Sequence, residues 1–146
     1  MKESSTKNKS GDANALEFSF FPGCSLKASG HENTASLLKF CEKVGIKLTE
    51  LSDWNCCGSS SAHSINHTVA KNLPARNLSL APQGKPLLIA CPSCLIRLKS
   101  SYLSIKNDPA LRDEYEQTWG RPFDDSLEII HFFEIFDRIV LEDYME

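Results

Sequence analysis

The stretch PLLIACPSCLIRL, residues 86–98, couples an unbroken apolar run to a pair of cysteines. Residues 86–90 read as a strand covered on both faces, the pattern of a buried parallel sheet rather than a half-exposed antiparallel one. After Cys91-Pro92 a helix begins, with Leu95, Leu98 and Tyr102 on one face. Working outward, the same alternation recurs. LEFSFFP (16–22) is a strand ending at Pro22-Gly23, and a helix from about residue 32 to 44 carries Leu37, Phe40, Cys41 and Val44 at helical spacing before Gly45. IKLTEL (46–51) is a second strand. Residues 59–80 have helical spacing in Ala62, Ile65, Val69 and Leu73, with Pro74 expected to kink or break the helix.

Beyond the third strand, Asp108-Pro109 has the form of an N-cap and first helical residue. Leu111, Tyr115 and Trp119 continue that helix to Gly120. SLEII (126–130) is a fourth strand, and a last helix is expected from about residue 131 to 140. Strands alternating with helices imply right-handed parallel crossovers. The expected fold is a single α/β layered domain over residues 16–146, with a roughly four-stranded parallel sheet flanked by helices. Residues 1–15 are polar and read as a disordered tail.

Composition narrows the function. The chain has 146 residues, 41% hydrophobic and 24% charged, with a net charge of −3. That balance gives no global basic field for nucleic acid. There is no apolar run long enough to span a membrane and no secretory pattern at the start, so a cytoplasmic location is expected. Charge is uneven: residues 124–146 hold eight acids and one arginine. Such an end suits either a solvated helix face or a basic partner.

Six cysteines in such a chain point to metal or redox chemistry rather than disulfides. The strand reading places five of them together. Cys24 follows strand one, Cys56 and Cys57 follow strand two, and Cys91 and Cys94 close strand three. The C-terminal ends of parallel strands share one edge, where ligand sites form. Helix N-termini at that edge favour thiolates, the metal-binding form, and Gly58 permits close approach of the backbone or a positive φ. Five sulfurs exceed the four of a structural zinc site or of an ordinary iron–sulfur cluster.

Several other groups have plainer readings. Cys41 lies on the apolar face of the first helix, as a core residue does. His63 and His67 stand four apart, the spacing of a metal pair, without a glutamate beside the first. His131 caps the last helix or hydrogen-bonds near the cysteines, and Trp54 packs beside the vicinal pair. Cys91-Pro92-Ser93-Cys94 alone looks like a thioredoxin-type dithiol, which leaves three cysteines idle. The loop PGCSLKASG supports no dinucleotide site, and no Walker A or hydrolase constellation is present.

Pro22-Gly23-Cys24, Cys56-Cys57-Gly58 and Cys91-Pro92-Ser93-Cys94 together resemble the cysteine-rich CCG domain. So do the flanking Ala75-Arg76-Asn77-Leu78 and Ile130-His131-Phe132-Phe133-Glu134. The arrangement is similar to the N-terminal half of the disulfide-cleaving component of the heterodisulfide reductase family. That resemblance implies a noncubane [4Fe-4S] cluster held by Cys24, Cys56, Cys57, Cys91 and Cys94, beside Gly58. It implies transfer of electrons to, or reductive cleavage of, a disulfide or thiol substrate, the five cysteines being catalytic through the cluster. The implied partners are a second CCG domain, an iron–sulfur protein that relays electrons, and a flavin-bearing protein that supplies them. The disulfide-cleaving component resembles two such domains in tandem, whereas this chain carries one, as half of a split component or a single-cluster relative would. The alternative is a zinc-stabilised interaction module of a redox complex.

Overall fold

The computed structural model describes residues 16–24, 30–59 and 62–138. The expected N-terminal tail lies outside them. Four strands, β1 (Leu16–Phe21), β2 (Ile46–Glu50), β3 (Leu87–Ile89) and β4 (Ile129–His131), form one sheet in the order β2-β1-β3-β4. Every pairing is parallel, with Phe20 opposite Glu50 and Leu88, and Ile89 opposite His131. The α/β parallel architecture read from the alternation is therefore the fold. Five helices accompany the described strands: α1 (His31–Lys43), α2 (Ala62–Ile65), α3 (His67–Leu80), α4 (Pro92–Asn107) and α5 (Pro109–Trp119).

Period-two alternation divides the apolar residues between two faces of the sheet. Phe18, Phe20, Leu88 and Ile130 meet Leu37 and Cys41 of α1 and Val44 just after it on one side. Phe21, Leu87, Ile89 and Ile129 meet Ala75 and Leu78 of α3, Leu98 and Tyr102 of α4, and Tyr115 of α5 on the other. Cys41 is thus a core residue, 1% exposed, and burial pushes its thiol up to about 11.

Two helical expectations are corrected. The segment 59–80 does break, but at Asn66 rather than at Pro74. The Asn66 side chain accepts the backbone N–H groups of Thr68 and Val69, opening α3 afresh. Pro74 sits inside α3 without ending it. It is buried, as are Ala75, Asn77 and Leu78, and this packing outweighs the one missing N–H. The break also separates His63 and His67 into different helices, so they are not four apart on one. The final helix is also corrected: Phe132–Asp137 is a 3-10 helix, η1, capped by the His131 side chain, and residues 139–146 lie outside the described residues. Asp108 caps α5 as expected, accepting from Ala110 and Leu111, and Gly120 ends that helix at φ 62°.

Candidate metal centre

In this strand order the chain leaves β1 in one direction towards β2 and later returns to β3 on its other side. The crevice beyond the ends of β1 and β3 is the position where open parallel sheets bind ligands. Cys24 follows β1 and Cys91 follows β3, so these two cysteines flank that crevice, and the loop after β2 adds Cys56 and Cys57.

The sulfurs converge. Cys24 Sγ lies 3.8 Å from Cys56 Sγ, and Cys57 Sγ lies 3.0 Å from Cys94 Sγ. Cys91 is close enough to Cys94 to hydrogen-bond it and to act on its charge. Cys57 and Cys94 are buried, Cys56 and Cys91 half-buried, and Cys24 exposed. The cluster is thus enclosed on the protein side and open at Cys24. Cys94 therefore meets Cys57, from a different loop, as well as Cys91 of its own motif.

Close packing of thiols forces them apart in acidity. Cys57 and Cys94 share a hydrogen bond, which with the Ser59 hydroxyl at 3.1 Å pulls Cys57 down to about 5 against the opposing effect of burial. Cys94 is pushed up, first by keeping that hydrogen bond, then by burial and by the charges of Cys57 and Cys91. Burial raises Cys24 as well, with Cys56 and Cys57 adding to the effect. Gathering several thiolates here therefore needs compensating positive charge.

Two glycines make room. Gly23, at φ 76°, lies so near the site that a Cβ there would stand 3.1 Å from Cys94 Sγ. Gly58, at φ 86°, turns the chain directly after the vicinal pair, against the Ala70 carbonyl and Leu73 of α3. An all-sulfur donor set of five, with Gly23 where a side chain would press on Cys94, fits a soft metal or an iron–sulfur group. Among the described residues, no three His, Cys, Asp or Glu side chains are already gathered around a single metal position.

The vicinal loop is held by residues whose part in the site the sequence does not announce. Asn77, fully buried in α3, accepts the Asn55 N–H at 3.0 Å and donates to the Asn55 carbonyl at 2.8 Å. The Asn55 amide donates to the carbonyls of Leu73 and Cys56. Arg76 donates to the Asp53 carbonyl and to Asn55 Oδ1 and pairs with the Asp53 carboxylate. The available signal was a polar side chain at a core position of a helix, three residues after the buried Pro74.

His131 acts at the neighbouring strand. Its Nδ1 accepts from the Phe133 N–H at 3.3 Å, so Nε2 carries the proton and donates to the Ala90 carbonyl at 3.0 Å. It thereby fixes the residue immediately before Cys91. Trp54 donates to Glu50 at 2.9 Å and stands edge-on to Phe21, which is the packing role.

The cysteine-rich CCG domain matches residues 18–99. The chain belongs to that family. The match takes in β1 to the first half of α4, which is the part of this CCG domain that carries all five converging cysteines. Over 83 residues the chain is 41% identical to the 8-methylmenaquinol:fumarate reductase membrane anchor subunit of Wolinella succinogenes. The alignment covers 56% of this chain and 29% of that protein, so the CCG chain spans under a third of its relative's length. No helix among the described residues is long and apolar enough to cross a membrane.

Proposed function

We propose that this CCG domain is an iron–sulfur redox module, with Cys24, Cys56, Cys57, Cys91 and Cys94 as ligands of one noncubane [4Fe-4S] cluster. The observation that carries the reading is the convergence of five thiols from three loops on one strand edge, with 3.8 Å and 3.0 Å between the paired sulfurs. The vicinal pair reaches two ways at once: Cys56 towards Cys24, and Cys57 towards Cys94. A multi-metal group suits that spread better than one zinc ion does, because four ligands around a single tetrahedral ion leave a fifth thiol unused.

When bound, such a cluster supplies one-electron transfer. The protein's part is to hold the sulfurs, to keep water from Cys57 and Cys94, and to leave the Cys24 side open. That open side is where a disulfide or thiol substrate, or a second CCG domain, would meet the cluster. The relative's name places it in a reductase of several subunits, which favours a module that works beside electron-carrying partners. The resemblance to the disulfide-cleaving component of heterodisulfide reductase makes those partners an iron–sulfur protein and a flavin-bearing protein. We assign this role to residues 16–146 as one domain, acting on the cytoplasmic side.

The test is metal and sulfide analysis of anaerobically purified or reconstituted protein, with its visible spectrum. About four irons and four sulfides per chain are expected, falling on replacement of any of the five cysteines by serine and unchanged in Cys41→Ser. One zinc and no sulfide, persisting after reconstitution with iron, would overturn the reading in favour of a structural module.

A further inference from the structure

Helices α3, α4 and α5 line an open-sided cavity of about 720 Å3 to which no cysteine contributes. Its size is that of a small-molecule site. Pro74, Leu111 and Trp119 are among its apolar lining. Arg97 and His67 line it near the starts of α4 and α3. Ion pairing already occupies the cation of Lys71, which meets Glu114 at 2.9 Å. Arg97 is different. It is half-buried, and among the described residues no carboxylate pairs with it. The cavity surface is mostly apolar, and the charges of Lys71 and Glu114 offset one another, so the Arg97 guanidinium is left to match an apolar body bearing one negative head, since Arg presents several donors in a fixed fork to a carboxylate.

The cavity backs onto the cysteine loops. Ala70 lines it, and the Ala70 carbonyl lies 3.6 Å from where a Cβ on Gly58 would stand. Arg97 follows Cys94 by three residues on the same helix. One turn of helix therefore separates the two sites.

We propose that this cavity is a binding site for an amphipathic organic carboxylate, with its head at Arg97 and its body over Pro74, Leu111 and Trp119. The proposal is independent of what the cysteines hold. The probe is decanoate, with decanol as its neutral counterpart, titrated against full-length Trp54→Phe protein so that Trp119 is the sole tryptophan. Decanoate is expected to change Trp119 emission saturably. Arg97→Ala should weaken decanoate about tenfold or more and leave decanol unchanged, the loss of one charge-assisted contact. Ser101→Phe, which fills the cavity from α4, should abolish both signals while far-UV circular dichroism stays native. If Ser101→Phe does not fold, Thr118→Phe fills the same space from α5. The proposal is overturned if decanoate gives no saturable signal, if Arg97→Ala leaves its affinity unchanged, or if a folded, filled variant binds as the parent does.

Discussion

The side-chain amide of Asn77 closes a two-bond clamp on the backbone of Asn55, at 3.0 Å and 2.8 Å. It ties the buried face of α3 to the residue before Cys56. An amide satisfied in this way is rigid, because turning it by half a revolution would place donor against donor. The clamp therefore sets where the vicinal cysteines emerge. Asn77→Leu keeps the volume and removes both bonds, leaving two backbone groups without partners. We expect a loss of about 2–4 kcal/mol, read from urea midpoints, together with reduced iron incorporation. Unchanged stability would show that Asn55 holds its position without Asn77.

Gly23 and Gly45 both sit at φ 76°, but only Gly23 has a neighbour, Cys94 Sγ, within reach of an added Cβ at 3.1 Å. Alanine at either position should cost about 1–2 kcal/mol of backbone strain. Gly23→Ala should also displace Cys94 and lose iron, whereas Gly45→Ala should load normally. Parallel denaturation curves and iron assays separate the two effects. Equal loading in both variants would show that the sulfur contact does not matter to the site.

Ser19 is 1% exposed in β1, and its hydroxyl has no hydrogen-bond partner among the described residues. A buried hydroxyl without a partner costs more than it returns. Ser19→Ala should raise stability by about 1 kcal/mol in a denaturant titration. A clear loss instead would reveal a bonded hydroxyl.

Burial pushes the Tyr115 phenol up to about 12, with Arg121 pulling back and Asp124 adding to the rise. In the unfolded chain it ionises near 10. Below pH 10 the phenol is neutral in both states and its contribution is complete. Between pH 10 and about 12 only the unfolded state ionises, so stability falls by roughly 2–3 kcal/mol and levels off above. Tyr115→Phe should remove that part of the alkaline slope. Cys41, raised to about 11, adds a slope of its own from about pH 9, so the comparison is between the variant and its parent across pH 9–12.

The sequence by itself determined the layered fold and the edge where the cysteines lie. A three-residue strand such as Leu87–Ile89, buried on both faces, needs unbroken apolar residues, and parallel strands must be joined through helices. Those are local and topological constraints, written in composition and period, so LLI followed by Cys-Pro-Ser-Cys was enough to place Cys91 and Cys94. Asp108 and Gly120 marked α5 for the same reason: caps act within one turn.

Tertiary structure decided what depends on contacts across the chain. Pro74 reads as a breaker, yet its packing keeps α3 whole, while Asn66, unremarkable in sequence, makes the break by capping. The last segment took a 3-10 form under the His131 cap. The pairing of sulfurs, Cys24 with Cys56 and Cys57 with Cys94, follows from how three loops meet over the ends of β1 and β3, separated by more than thirty residues along the chain. The Asn77 clamp and the cavity beside Arg97 likewise arise from the docking of separate helices. No local pattern encodes the distance between two surfaces until the core has packed them together.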